Sequence, residues 1–485
     1  MYAAVDLGSN SFRLHIGIHE GGSIRIIRSA REPVRLGAGL DKDGNLTEKA
    51  MQAALACLRN FSQILAAYPL QAVRVVGTNT MRVANNAAAF LPLAEQAVGC
   101  PIEIISGEEE GRLIYMGVNC ALPQSDEKRL VVDIGGGSTE LILGKGSDIE
   151  LVESFSIGTV DHNHTFFVDG RINDAAFEAA IVSARGVFED AAQGYRAQRW
   201  AQAYGSSGTI RAIGEAIEKN GMEQGMFSLA GMQSLKQRLI GYGDTDRITL
   251  EGLKPDRANV IAGGLAILTG IMQEFGIETM QTVDAGLRMG VLWDLHLRAT
   301  RRDRREGAIM QFARRFHADP ERASRVAAIA SVLLPQLKPA TDEWARPLYW
   351  SALLHEIGMA VSHSGYHKHG AYLTEHADLP GFTTREQRRV STLVLGQKGN
   401  LRKLGDHLSD GDCAKAVLAL RLGILFMHAR IAEAPSGISV RMKNRIDLEL
   451  RRSWIDDHPS LGYWLEKETQ QWKEVGIELL VKPTK

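Results

Sequence analysis

The chain has 485 residues, 45% hydrophobic and 23% charged, a composition that suits several packed cores and excludes a disordered polypeptide. Lys and Arg number 56 against 57 Asp and Glu, a formal charge of −1, which removes the broad basic surface of a general nucleic-acid binder. Cys57, Cys100, Cys120 and Cys413 lie far apart with no CxxC spacing, so a disulfide scaffold or structural zinc site is not expected and a reducing cytoplasm fits.

The N-terminus reads MYAAVDLGSNS, and Asp6 interrupts it before a signal-peptide apolar core can form. Strands are predicted over 2–7, 12–18 and 23–29, with the turn Glu20-Gly21-Gly22 between the last two. From Thr47 the period changes: Met51, Leu55, Leu58 and Leu65 predict a capped helix ending near Pro69. A short strand over 73–76, a helix over 85–98, a strand over 102–105 and a helix after Ser106-Gly107 follow, an α/β order with a mixed sheet.

At Arg129 the pattern restarts. Strands are predicted over 130–134, 140–143 and 149–155, a helix over 174–192, and a strand over 200–204 leading through Gly205-Ser206-Ser207-Gly208-Thr209 into a helix. The apolar run Ala258–Met272 is too short for an ordinary membrane span and reads as part of a buried helix over 257–275; a strand (279–283) and a helix (286–297) close this part. The stretches Val5-Asp6-Leu7-Gly8-Ser9-Asn10-Ser11 and Val132-Asp133-Ile134-Gly135-Gly136-Gly137-Ser138 superpose, each a strand ending in Asp, an apolar residue, Gly and small residues. An internal duplication with two lobes facing across a cleft is the expectation. Beyond a basic connector (Arg298, Arg301, Arg302, Arg304, Arg305) the chain reads as helical, with apolar spacing over 326–334, 348–354, 390–395 and 414–427. A hairpin is predicted from 438–442 and 446–450 around Lys443-Asn444.

The chemistry concentrates in the two Gly/Ser turns. Glycines let a phosphate approach the backbone amides, and Ser9, Asn10, Ser11 and Ser138 add side-chain donors; two bare β-turns are the plain alternative. Asp6 and Asp133 beside a phosphate repel it unless a cation intervenes, which asks for a divalent ion such as Mg2+, with Glu140 as a further ligand or the holder of a metal-bound water. Glu108, Glu109 and Glu110 open a helix, where acids favour the dipole in any case; one of them aimed at the cleft would serve as a general base, and helical geometry alone does not choose which. Arg13, Arg82, Arg257 and Arg288 have the fork geometry for phosphate, with ordinary ion pairs as the alternative for each. His355-Glu356-Ile357-Gly358-Met359 fails the HExxH zinc pattern because Met359 stands where the second His is needed; His363, His367, His369 and His376 follow nearby.

Taken together, DLGSNSFRL, GTNTMR, EIISGEEEGRLIYMGV, LVVDIGGGSTEL, GSSGTI, PDRANVIAGGLAIL and GLRMGVLWD resemble the exopolyphosphatase / guanosine pentaphosphate phosphohydrolase family over residues 1–300. The resemblance implies a duplicated actin-like (ribonuclease H-like) two-lobe ATPase fold, with lobes at 1–124 and 125–300, then an all-α HD-like domain at 301–432 and a small α+β domain at 433–485. LLHEIGMAVSHSGYHKHGAYL resembles an HD motif in which Glu356 replaces the usual metal-binding Asp and Met359 the usual Lys. By motif, Glu110 matches the family's catalytic base, with Gly111 where Ala is common. Asp133 and Glu140 match the acidic pair associated with Mg2+ and the catalytic water. Asp6, Gly8, Ser9, Asn10, Ser11 and Gly135, Gly136, Gly137, Ser138 match the phosphate turns, while Arg13 and Arg257, with Arg82 from GTNTMR, are expected on the polyanion.

The expected activity is processive release of terminal phosphate from inorganic polyphosphate, with guanosine pentaphosphate (pppGpp) hydrolysis as the nearest rival. GGGSTE rather than GGASTE, and HSGYHKH, favour the exopolyphosphatase branch. A kinase and a non-catalytic polyphosphate or alarmone sensor are more distant alternatives. A cationic path for the chain is expected among Arg301–Arg305, Arg314, Arg315, Lys368, His369, Arg385, Arg388, Arg389, Lys398, Arg402 and Lys403. The resemblance also implies a homodimer.

Overall fold

The computed structural model describes residues 1–300, 305–377, 379–430 and 438–484. The chain divides into two compact units, Met1–Asp303 and Arg304–Lys485. The first unit opens with β1 (Tyr2–Leu7), β2 (Phe12–Glu20), β3 (Ser23–Glu32), α1 (Glu48–Ala66), β4 (Ala72–Gly77), α2 (Asn79–Val83), α3 (Ala87–Val98), β5 (Ile102–Ile104) and α4 (Gly107–Ala121). It continues with β6 (Lys128–Ile134), β7 (Thr139–Lys145), β8 (Asp148–Phe155), α5 (Thr159–Phe166), α6 (Asp174–Phe188), α7 (Ala192–Tyr195), β9 (Gln202–Gly205) and α8 (Gly208–Lys219). β10 (Phe227–Ser228), α9 (Leu229–Tyr242), α10 (Pro255–Phe275), β11 (Thr279–Thr282) and α11 (Leu287–Ala299) complete it.

The duplication is present in the sheets. The first sheet runs β3-β2-β1-β4-β5, and the second runs β8-β7-β6-β9-β11 with β10 added at its edge. In both, the first three strands form antiparallel hairpins and the remaining matched strands join in parallel. Both second hairpins carry a register shift at a glycine, Gly17 in one and Gly144 in the other. This is a two-lobe, actin-like α/β fold.

Two helices tie the lobes together. α4 leaves the first lobe and packs on β7 and β8, while α11 leaves the second and packs on β1 and β2. They cross backbone against backbone: a Cβ on Gly290 would lie 1.8 Å from the Leu113 carbonyl oxygen, and one on Gly117 would lie 2.2 Å from that of Gly286. Beside the crossing lies a buried ionic network. Arg74 reaches Glu103 at 2.7 Å and Asp294 at 2.8 Å, and Arg112 reaches Glu109 at 2.6 Å and Asp294 at 2.9 Å. Arg298 adds a third arginine on Asp294, at 2.6 Å.

α10 is longer than the apolar run that announced it. It has the length and composition to cross a membrane, yet 72% of its apolar window is buried, so it forms the core of the second lobe. The helix expected over 174–192 stops at Phe188, where Glu189 and Asp190 oppose the helix dipole, and resumes as α7. α5 and α9 were not foreseen; TVDHNHTF is too polar to show an apolar stripe.

The second unit contains α12 (Arg305–Arg315), α13 (Pro320–Gln336), α14 (Ala345–Leu353), α15 (Tyr366–His376), α16 (Thr384–Gly396) and α17 (Gly411–His428). It ends with β12 (Ile438–Met442), β13 (Ile446–Arg451), α18 (Arg452–Asp457), α19 (Pro459–Lys473) and β14 (Leu479–Thr484). α17 is apolar around its circumference and forms the centre of the helical core. The expected hairpin is β12–β13; β14 joins it in parallel, a pairing that no local turn signal announces. The terminal sheet shares one hydrophobic core with the helices, and Arg421 on α17 forks onto Glu468 of α19 at 2.6 and 2.8 Å.

Candidate active site

The Gly/Ser turn after β1 and the one after β6 meet face to face. A Cβ on Gly136 would lie 3.2 Å from Cβ of Ser9 and 3.4 Å from the Asn10 nitrogen. One on Gly137 would lie 2.4 Å from Asn79 Oδ1 and 3.3 Å from Ser9 Oγ. Glycine is therefore required here by close approach, since any side chain would wedge the turns apart. Thr80 donates to Ser9 Oγ at 2.8 Å, which fixes the first turn from behind.

Beside the turns is a cleft of about 760 Å3. Asp6, Gly8, Ser9, Asn10, Ser11, Arg13, Glu110, Asp133, Gly135, Gly136, Gly137, Ser138 and Arg257 all line it, so most of the sequence-derived set converges. Ser11 Oγ is buried with no hydrogen-bond partner, a donor left over for a ligand. Two members of that set stand one layer back. Arg82 donates to Glu110 Oε2 at 2.9 Å and to the Ile105 carbonyl at 3.0 Å, making it the counter-ion of Glu110. Glu140 is 1% exposed and accepts from Ser154 Oγ at 2.8 Å, directly across the β6–β7 ladder from Asp133.

The helix start of α4 decides which of its acids faces the cleft. Ser106 caps it by accepting from the Glu109 N–H at 3.1 Å. Glu109 is turned into the ionic network, and Glu110 into the cleft. Burial pushes the Glu110 carboxyl up to about 7; Arg82 opposes this, and Asp6 and Asp133 add to the rise. Burial, Glu110 and Asp133 together hold the Glu140 carboxyl well above the usual carboxylate range. Burial raises Asp133 and Asp6 as well, offset by the hydroxyl of Ser206 on Asp133 and by Arg288 on Asp6.

Such a group of mutually repelling oxygen donors is suited to a hard cation. Among the described residues no three Asp, Glu, His or Cys side chains form a ready cage. Mg2+ takes one or two carboxylates and completes its shell with phosphate and water, and Asp6 and Asp133 are the residues that could supply them.

Sequence reasoning left out part of the wall. Ser206, Ser207, Gly208 and Thr209 form a third turn of small residues, at the start of α8, with Ser207 accepting from the Ile210 N–H at 3.0 Å. The GSSGT run itself was read as a strand-to-helix link and as one of the family-like stretches, without a place in the cleft. Arg31, Arg211, Lys254 and Arg288 also line the cleft, as does His15; Arg288 alone among these was noted in the sequence as a phosphate fork. A Cβ on Gly208 would lie 2.6 Å from Arg257 Nη2 and 3.3 Å from Arg13 Nη2, so arginines from both lobes meet over this turn.

In the second unit, Glu356 is held by Arg322 at 2.6 Å, and His355 donates through Nδ1 to the Ala352 carbonyl at 2.8 Å. An arginine thus supplies the positive charge beside Glu356. Of the expected cationic path, Arg301, Arg302 and Arg304 lie outside the described residues. Arg305 pairs with Glu386, Arg389 with Glu343, Arg388 with Glu375 at 4.0 Å and Arg402 with Glu474 at 3.9 Å. Lys403 is pushed down to about 7 by burial, Arg421 and Lys368.

The profile described as the Ppx/GppA phosphatase family matches residues 16–299, and that of Ppx/GppA phosphatase domain III matches 304–469. Among solved structures, the chain is similar to an exopolyphosphatase from Cytophaga hutchinsonii at 25% identity and a TM-score of 0.56, covering 61% of this chain and 97% of that one. A Ppx/GppA family member from Aquifex aeolicus is 26% identical with a TM-score of 0.53, covering 61% and 98%. A second Aquifex aeolicus structure, of a PPX-GPPA enzyme, is 27% identical with a TM-score of 0.51, covering 60% and 98%.

Proposed function

The chain belongs to the Ppx/GppA phosphatase family, and from that premise we propose that it is an exopolyphosphatase releasing the terminal phosphate of inorganic polyphosphate. The observation that carries this reading is the cleft wall. Arg13, Arg31, Arg211, Lys254, Arg257 and Arg288 face one cavity with the paired turns, and the described lining residues include no Phe, Tyr or Trp to stack a base. Several phosphoryl groups in a row match that wall better than a nucleotide does.

The terminal phosphoryl sits against the amides of the turns at 8–11 and 135–138, with Ser11 Oγ as a further donor. Glu110 accepts the proton of a water aligned with the bridging P–O bond. The water oxygen bonds to phosphorus, the bridging bond breaks, and its electron pair leaves with the shortened chain. Arg82 keeps Glu110 oriented and limits the rise of its pKa. Asp6 and Asp133, with Glu140 behind, would hold Mg2+, which when bound offsets the charge of the phosphoryl oxygens. Donors fixed in advance of the reaction account for most of the acceleration.

The test is competition of long polyphosphate against pppGpp at equal terminal-phosphate concentration with Mg2+ present. Faster phosphate release from polyphosphate is expected. Preference for pppGpp would transfer the assignment to that substrate, and tight binding without turnover would make the protein a sensor. The homodimer belongs to the same proposal and is checked by sedimentation.

A further inference from the structure

Arg288 is held unlike Arg74 and Arg112, two buried arginines of the first unit. Arg74 and Arg112 are locked in the buried network by contacts of 2.6 to 2.9 Å. Arg288, at the start of α11, reaches Asp6 Oδ2 at 3.2 Å and donates through Nε to His15 Nε2, also at 3.2 Å. Charge-assisted pairs normally close to about 2.7–2.9 Å, so this guanidinium is only loosely engaged. Its helix has no such freedom, because the Gly290 backbone rests on Leu113. Any movement of Arg288 is therefore side-chain rotation about a fixed base.

We propose that Arg288 is a further catalytic residue: it exchanges Asp6 for the second phosphoryl group of the chain, stabilising the leaving group and freeing Asp6 for the cation. The inference rests on the phosphatase reading above. Asp6 borders the first phosphate turn, and Gly286, two residues before Arg288, lies against Asp133: a Cβ there would sit 3.7 Å from Asp133 Oδ2. Arg288 thus pairs with Asp6 while its charge also acts on Asp133, so that in the proposed reaction its fork would serve the bridging oxygen. As that bond cleaves, its electron pair stays on the bridging oxygen, now part of the second phosphoryl, and the guanidinium meets the charge that develops there. The proton removed from water remains on Glu110. His15 orients the fork as an acceptor through Nε2 and is therefore neutral; burial and its neighbours Arg288, Arg13 and Arg211 push its pKa down to about 3. His15 Nδ1 is buried without a partner.

Arg288→Ala, Arg288→Lys and Arg288→Gln in the full chain test this, with thermal melting as the folding control. For Arg288→Ala on tripolyphosphate, kcat should fall about 100-fold with a smaller change in KM, and added guanidine should restore part of it. Arg288→Lys should recover little, since an ammonium lacks the fork. Without substrate, Mn2+ followed by electron paramagnetic resonance should bind more tightly to Arg288→Ala, because Asp6 has lost a competing cation. Folded variants with kcat near wild type, no response to guanidine and unchanged Mn2+ affinity would overturn the proposal. Failure of all three to fold would make Arg288 structural and overturn it as well. Should the wild type release no phosphate from any polyphosphate, the functional reading fails, while the Mn2+ measurement still decides the exchange at Asp6.

Discussion

Arg13 and Glu140 occupy the same place in the two copies of the fold. Arg13 pairs across β1–β2 with Asp6, and Glu140 pairs across β6–β7 with Asp133. Side chains opposite each other on a ladder share a face, so each lobe offers an aspartate and one partner. The first lobe supplies a cation and the second an anion. On the proposed reading, the duplicated scaffold would be divided between holding the substrate's charge and holding the cation and water that act on it.

That division separates two variants kinetically. Glu140→Gln should lower kcat by about 100-fold or more with KM little changed. Arg13→Ala should mainly raise KM, because on the proposed reading Arg13, which lines the cleft, holds phosphate before and after the reaction. Steady-state kinetics on tripolyphosphate distinguish them.

The Glu110 carboxyl must be ionised to accept a proton, and burial has pushed it up to about 7. The pH profile of kcat/KM should therefore rise with pH through that region and level off above it. Arg82 lowers this pKa, so Arg82→Ala should move the acid limb to higher pH. A limb unmoved by the substitution would remove Arg82 as the counter-ion of Glu110.

Asp294 sits where Arg74, Arg112 and Arg298 converge. Burial alone would raise its carboxyl; Arg112, Arg74 and Arg298 outweigh that and hold it well below the usual carboxylate range. Its stabilising contribution is present above the unfolded pKa of about 4 and is lost as pH falls through the lower folded value. Asp294→Ala leaves Arg74, Arg112 and Arg298 clustered with only Glu103 and Glu109 to offset them and should cost about 3 kcal/mol. Urea unfolding at neutral pH measures the loss, and the deficit relative to wild type should shrink in strong acid.

The α4–α11 crossing is equally intolerant. Gly290→Val puts atoms where the Leu113 carbonyl already is, and it should destabilise by about 1–3 kcal/mol or more. Because the crossing sets the distance between the lobes, phosphate release should also fall in any folded fraction. A Gly290→Val protein with wild-type melting and activity would contradict the backbone contact.

The two lobes were legible because the repeat is local: a strand ending in Asp, then Gly and small residues, occurs in both halves and fixes both hairpins. The turns, Asp6, Asp133 and the acid-rich start of α4 followed from residue type and spacing alone. The choice of Glu110 over Glu109 did not, since it depends on Arg112 and Arg74 claiming Glu109, and Arg74 is distant in sequence. Arg82 was legible as a fork but not as the partner of Glu110, a contact made only when α2 and α4 come together. That the GSSGT turn and Arg211 line the cleft was not legible, because a strand-to-helix link of small residues looks the same whether or not it faces a cleft. β14 escaped because a parallel partner leaves no turn between paired strands.

The central claim is that Glu110 activates water for the phosphate gripped between the two turns. The most direct measurement is single-turnover phosphate release from end-labelled polyphosphate by wild type and Glu110→Gln, with polyphosphate affinity determined on the same samples. The account expects release to fall by about 100-fold or more while affinity is retained. Release at the wild-type rate from folded Glu110→Gln protein would contradict it.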